Sequence, residues 1–156
     1  MDIDHRGYTY PQDVLRERII LITGASDGIG RVLAIHAAKL GARVILHGRN
    51  VGKLESVYDE IEAIDGAARP SIAVMDLATA DADAYQSLAD SLEAEFGRLD
   101  ALVHNASLLG SRFAIAQYDA AEWQRVMHVN VTAAFALTQV CLPMLLRSSD
   151  ASIAVS

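Results

Sequence analysis

The chain has 156 residues, 52% of them hydrophobic, and 13 Lys and Arg against 20 Asp and Glu give it a formal net charge of −7. This length supports one compact domain, and the composition does not suggest a second. No basic cluster interrupts the acidic balance, which argues against nucleic acid as a partner, and no apolar run reaches membrane-spanning length, which predicts no membrane contact.

The cellular compartment is predicted from the single cysteine and from the first residues of the chain. Cys141 cannot form an internal disulfide and lies in an apolar helical stretch. The N-terminus has acidic and polar residues where a secretory signal would have a basic and then an apolar segment. These features predict a reduced, cytoplasmic location.

Strand-like and helical segments alternate along the chain after an N-terminal arm, residues 1–18. Short apolar runs predict strands over Ile19–Thr23, Arg43–His47, Ser71–Met75, Ala101–Val103 and Ser152–Ser156. Helical spacing of apolar residues predicts helices over Gly30–Leu40, Val51–Ile64, Asp83–Phe96 and Ala120–Leu146. The alternation predicts an α/β fold: a doubly wound parallel sheet of the Rossmann type over residues 19–156, ending after about the fifth strand.

A glycine-rich segment, Thr23-Gly24-Ala25-Ser26-Asp27-Gly28-Ile29-Gly30, lies between the first strand and the first helix. There, Gly24 would permit the sharp turn out of the strand, Gly28 would let a pyrophosphate approach the backbone, and Gly30 would let the helix pack closely. Free amides at the helix start would face the phosphates. The position predicts a nicotinamide dinucleotide site, against the alternative of a glycine-rich turn without a ligand.

The ends of the second and third strands carry the next candidate residues. His47-Gly48-Arg49-Asn50 lacks the carboxylate that would bind a free adenosine ribose and offers Arg49 instead. This favours a 2′-phosphate, hence NADP over NAD, although an arginine that begins a surface helix is often only solvated. Asp76, followed by Leu77, could meet the adenine amino group or could cap a turn.

These motifs, together with His104-Asn105-Ala106-Ser107 and Val129-Asn130-Val131, resemble the ordered motifs of the short-chain dehydrogenase/reductase family over nearly the whole chain. Within that family the chain is most similar to a bacterial group, the YciK-type oxidoreductases. The resemblance implies NADP-dependent hydride transfer between a nicotinamide and a small carbonyl or alcohol substrate. It also implies cofactor contacts at Gly24, Ser26, Asp27, Gly28, Ile29, Gly30, Arg49, Asn50, Asp76, Leu77, Asn105 and Ala106.

Asn130 lies inside the long predicted helix, where asparagine is a poor helix former. The resemblance implies a catalytic position for it, holding a water that connects to the active-site lysine of a Ser-Tyr-Lys-Asn set. The alternative is a polar side chain satisfied by a neighbouring backbone group. Both can hold at once.

The chain departs from the family pattern at two places. Ser107 stands where the family usually has glycine, which adds a side chain close to the cofactor. The family's catalytic serine would follow Ser156, and no Tyr-x-x-x-Lys occurs in the sequence. Without that tyrosine no positioned group can transfer the proton that accompanies hydride transfer, so the chain as written is expected to bind the cofactor without turnover.

Three further expectations concern metals, partners and alternative functions. The five histidines show no ligand spacing, so no metal is predicted. An exposed strand edge and the long helix, which often builds the dimer interface in the family, predict possible homo-oligomers. The alternative to a reductase is a non-catalytic nucleotide-binding module with a regulatory or assembly role. A methyltransferase-like function is disfavoured by the glycine spacing.

Overall fold

A parallel five-stranded sheet forms the centre of the molecule in a computed structural model that describes Pro11 and residues 13–156. Most of the predicted arm, residues 1–10 and 12, lies outside the described residues. The strand order is β3-β2-β1-β4-β5, and all four pairings are parallel. The strands are β1 Ile19–Thr23, β2 Arg43–Gly48, β3 Ser71–Val74, β4 Ala101–His104 and β5 Ser152–Val155.

In the described part of the chain, five α-helices connect the strands: α1 Gly28–Lys39, α2 Val51–Glu62, α3 Ala82–Phe96, α4 Ala120–Met127 and α5 Ala133–Leu145. A 3₁₀ turn, Ile115–Gln117, precedes α4, and a π-helical segment, His128–Thr132, joins α4 to α5. The predicted strands and the first three predicted helices are confirmed, with boundaries that differ by at most two residues. The single helix predicted over Ala120–Leu146 is instead divided by the π-helical segment into α4 and α5. The first helix starts two residues before its prediction because Asp27 caps it at Gly28.

Successive residues of each central strand pack on opposite faces of the sheet, as the two-residue period of a strand requires. Leu21, Ile45 and Leu102 lie in a core with α3 and α5. Ile22 and Leu46 lie in a second core with α1 and α2. Helices thus cover both faces, which is the doubly wound arrangement that the sequence predicted.

The β5 edge and one face of α5 are left exposed. All four residues of β5 are exposed, with Val155 at 74%. The buried face of α5 includes Leu137 and Cys141, whereas Phe135 is 66% exposed on the other side. Contrary to the sequence expectation, one helix in the described part of the chain, Ala120–Leu145, is long and apolar enough to cross a membrane by length and composition. A helix in the core of a protein can have the same length and composition, so these two properties alone do not identify a membrane-spanning helix.

Candidate active site

A cavity of about 470 Å³ lies at the carboxyl ends of the strands and is lined by residues that the sequence predicted to contact the cofactor. We refer to it as the main cavity. This edge of a doubly wound sheet is where such folds bind ligands. The sequence-predicted residues that line it are Gly24, Ser26, Ile29, Arg49, Asp76, Leu77, Asn105 and Ala106. The remaining predicted residues, Asp27, Gly28, Gly30, Asn50 and Asn130, lie next to this wall and do not line the cavity.

The glycine loop is fixed by two close backbone approaches. Gly24 has φ +65°, and a Cβ there would lie 2.9 Å from Ala106 Cα. A Cβ at Gly30 would overlap the carbonyl oxygen of Gly24 and the side chain of Asn105. At Gly28, which has φ +52°, nothing lies within 4 Å of an added Cβ. Gly24 and Gly30 therefore have the turn and packing roles predicted for them, and Gly28 leaves open space beside the start of α1.

Asp27 and Asn50 act as the N-caps of the two helices that begin beside the main cavity. Asp27 Oδ1 accepts a hydrogen bond from Gly28 N at 2.8 Å. Asn50 Oδ1 accepts from Lys53 N at 3.0 Å. These bonds satisfy amides that a helix start leaves unpaired. Both side chains thus position the loops around the cavity.

Arg49 and Asp76 lie at the open end of the main cavity. Arg49 Nη1 is 3.9 Å from Asp76 Oδ2, and the two side chains are 63% and 39% exposed. Asp76 Oδ1 also accepts from Ala78 N at 3.0 Å, so the turn cap that the sequence left open as an alternative is present. The guanidinium is held by one long ion pair, which leaves it available to an anion.

Thr23 ties the loop after β4 to the end of β1. Its hydroxyl accepts from Asn105 N and Ala106 N, both at 3.0 Å, and donates to Val103 O at 3.2 Å. The Asn105 side chain donates to Thr23 O at 3.0 Å. Sequence reasoning assigned no site role to Thr23, although its hydroxyl at the strand end sets the position of both predicted ribose contacts.

Asn130 lies at the centre of the π-helical segment and lines a smaller cavity of about 100 Å³, together with Ser107 and Ser156. Its Oδ1 accepts from Leu108 N at 2.8 Å, and its Nδ2 donates to Leu108 O at 3.0 Å. The amide therefore spans from the helix to the loop after β4. The structure therefore confirms the alternative stated for Asn130, because both polar atoms of its side chain are hydrogen-bonded to backbone groups.

Sequence reasoning missed several residues of the main cavity wall. Arg125 in α4 and Val129 in the π-helical segment both line it, and nothing in the sequence pattern singled out Arg125. His47 also belongs to the wall, is 1% exposed, and has no hydrogen-bond partner for either ring nitrogen among the described residues. Burial lowers the pKa of His47 to about 4, so its imidazole is neutral.

His104 has a structural partner. Its Nε2 lies 2.8 Å from Thr138 Oγ1, and the residue is 6% exposed. Burial lowers the pKa of its imidazole. Within residues 13–156 no group of three or more His, Cys, Asp or Glu side chains has the geometry to hold a metal.

The sheet order, the glycine loop and the cavity at the strand ends define a dinucleotide-binding α/β domain. The family model for the short chain dehydrogenases matches residues 18–155, and the chain belongs to this family. It is 45% identical over 146 residues to the uncharacterized oxidoreductase YciK of Escherichia coli K12, covering 94% of this chain and 58% of the relative. It is 29% identical to the 3-oxoacyl-[acyl-carrier-protein] reductase FabG of Thermotoga maritima, covering 89% of this chain and 54% of the relative.

Solved structures show the same fold at high similarity. The crystal structure of yciK from E. coli superposes with a TM-score of 0.90 at 45% identity, covering 94% of this chain and 59% of that one. A short chain dehydrogenase from E. coli CFT073 complexed with NADPH also gives a TM-score of 0.90 at 45% identity, with 94% and 60% covered. The chain thus spans about three fifths of the length of these relatives.

Proposed function

We propose that this chain is the cofactor-binding part of an NADP-dependent oxidoreductase that acts on a carbonyl or alcohol substrate. The observation that carries the proposal is Arg49, exposed at the rim of the main cavity at the strand end where an NAD site would place a carboxylate. Structures of relatives from E. coli CFT073 and Shigella flexneri hold NADPH and NADP. The bound cofactor would supply the hydride.

The residues present fit a dinucleotide. The open space at Gly28 beside the start of α1 suits a pyrophosphate, which the helix amides would bind. Arg49 would take the 2′-phosphate with Asn50 beside it, and Asp76 would meet the adenine amino group. Asn105 and Ala106, fixed by Thr23, would flank the ribose on the nicotinamide side. Ser26, Ile29 and Leu77 would complete the walls.

Asn130 is proposed as the one member of the family's catalytic set that residues 1–156 contain. Its amide fixes Leu108 and lines the small cavity next to Ser156. Residues 1–156 contain no Tyr-x-x-x-Lys. This segment alone is therefore proposed to bind NADP(H) without turnover, which is also how a non-catalytic nucleotide-binding module would behave.

Two further parts of the proposal concern location and assembly. The buried, unpaired Cys141 supports a reducing cytoplasmic location. The exposed apolar residues of α5, Phe135 and Leu142 among them, support homo-association through this helix. Sedimentation of the wild-type chain against Phe135→Glu would test it, with a shift toward monomer expected in the variant.

The decisive experiment is a calorimetric titration of residues 1–156 with NADPH, NADH and S-adenosylmethionine. The proposal expects NADPH to bind more tightly than NADH and S-adenosylmethionine not to bind. Binding of S-adenosylmethionine alone, or of neither nicotinamide cofactor, would overturn it. Reading the gene past the Ser156 codon, and assaying NADPH oxidation with carbonyl substrates by any longer chain that it encodes, separates the reductase from the non-catalytic module.

A further inference from the structure

An ion pair joins the glycine loop to the first turn of α2 beside the main cavity. Lys53 Nζ lies 2.6 Å from Asp27 Oδ2, and the two side chains are 56% and 72% exposed. The backbone N–H of Lys53 is in turn bonded to Asn50, the residue after Arg49. Lys53 thus stands at the same corner of the site as Arg49, although neither its spacing nor any motif singled it out.

The cations of this corner are all matched by carboxylates. Lys53 pairs with Asp27, Arg49 with Asp76, and Arg31 with Glu60. Three positive charges therefore face three negative ones, and the corner is close to neutral. A phosphate monoester carries nearly two negative charges at neutral pH. Such a group needs cations that can leave their present partners.

The three pairs differ in how firmly they hold the cation. Both carboxylate oxygens of Glu60 bond to Arg31 Nη2, at 2.5 and 2.6 Å. The Arg49 pair is long, at 3.9 Å. Lys53 makes one bond, to an exposed carboxylate whose other oxygen already caps α1. An exposed pair of this kind contributes little stability, and the flexible lysine stem can redirect its charge.

We propose that Lys53 is a second cation for the 2′-phosphate of NADP(H), leaving Asp27 to bind beside Arg49 when the cofactor enters. This inference rests on the proposed function. It makes the Asp27–Lys53 pair a specificity-determining element, because the lysine that neutralises Asp27 in the free protein is drawn to the site only by a cofactor that carries the 2′-phosphate. Binding of the 2′-phosphate replaces the Lys53–Asp27 ion pair with a Lys53–phosphate ion pair. The hydrogen bond by which Asp27 Oδ1 caps α1 at Gly28 N stays intact.

The chain offers a matched control, since Lys39 and Lys53 are its two lysines and Lys39 lies at the opposite end of α1. Affinities for NADPH and NADH are measured by calorimetry on wild type, Lys53→Met, Lys39→Met and Asp27→Asn. Lys53→Met is expected to weaken NADPH binding about tenfold and to leave NADH within about twofold. Lys39→Met is expected to change neither. Asp27→Asn keeps an N-cap and is expected to strengthen NADPH binding several-fold.

The outcomes separate this inference from the function on which it rests. If wild type prefers NADPH and Lys53→Met weakens both cofactors equally, or neither, the role of Lys53 is overturned while the proposed function stands. If wild type binds neither cofactor, or shows no preference for NADPH, both are overturned. Adenosine 2′,5′-bisphosphate and AMP serve as probes of the phosphate itself, and the loss in Lys53→Met should be confined to the former.

Discussion

Both polar atoms of the Asn130 side-chain amide form hydrogen bonds with the backbone of Leu108, which lies 22 residues earlier in the chain. The acceptor oxygen takes the Leu108 N–H and the amino group donates to the Leu108 carbonyl, at 2.8 and 3.0 Å. The pairing occurs at the π-helical segment, where the backbone departs from the regular helix. It fixes the loop after β4, which forms part of the main cavity wall.

Replacing Asn130 with Asp should loosen this loop. Aspartate can still accept from Leu108 N, but its second oxygen would face the Leu108 carbonyl oxygen without a proton between them. We expect the free energy of unfolding to fall by about 1 kcal/mol and the Leu108 amide to exchange faster. Hydrogen exchange measured by NMR checks this. Gln139→Glu, the same chemical change on an exposed position of α5, is the control, and equal exchange at Leu108 in both variants would contradict the prediction.

Replacing Gly30 with Ala should damage the fold around the glycine loop. The added Cβ would overlap the Gly24 carbonyl oxygen, which is backbone and cannot rotate away. We expect a loss of about 3 kcal/mol or more in the free energy of unfolding, measured by urea denaturation.

Gly52→Ala is the matched control for Gly30→Ala. Gly52 lies in the first turn of α2, and a Cβ there would come no nearer than 3.9 Å to Asn50 Oδ1. Alanine in a helix is favoured over glycine by up to about 1 kcal/mol, so this variant should be neutral or slightly more stable. Similar losses in the two variants would show that steric overlap at Gly30 is not the cause.

His47 should make the protein sensitive to mild acid. Burial lowers its pKa from 6.5 to about 4, so between these values the unfolded chain binds more protons than the native one. The contribution of neutral His47 to the free energy of unfolding is therefore fully present above pH 6.5. It is lost as the pH falls from 6.5 to about 4, and the total loss is about 3 kcal/mol. Urea denaturation between pH 7.5 and 4.5 measures the change.

The variant His47→Leu isolates this contribution from the titration of the carboxylates. It removes two buried nitrogens that have no partner among the described residues, so it should be more stable than wild type at pH 7 by about 1–2 kcal/mol. The difference should widen below pH 6.5. A constant difference across the pH range would rule out His47 as the acid-sensitive group.

Replacing Arg49 with Ala should weaken binding of NADPH far more than binding of NADH. A guanidinium facing a phosphate forms charged hydrogen bonds that correspond to about a tenfold to hundredfold change in affinity. Calorimetric titration of both cofactors measures it. Arg69→Ala, on the surface beyond α2, is the control for a lost positive charge. Equal losses for the two cofactors in Arg49→Ala would remove the assignment of NADP.

The sequence by itself determined the elements and the edge of the sheet where the site lies. Apolar periodicity predicted the order of strands and helices, and the glycine-rich segment predicted a sharp turn at Gly24 and close helix packing at Gly30. The structure has both, since a Cβ at either position would meet neighbouring atoms at 2.9 Å or less. These features depend on local spacing, which a sequence displays directly.

The tertiary structure alone decided which side chains meet. The Asp27–Lys53 pair spans 26 residues and the Asn130–Leu108 pair spans 22, and no local pattern encodes either distance. The same holds for the placement of Arg125 and His47 in the cavity wall, which depends on how α4 and β2 are oriented when the sheet is assembled. Side-chain partners across the site are set by how whole helices and strands pack. The period of a helix or strand shows which residues share one face, but it does not show which other element that face will contact.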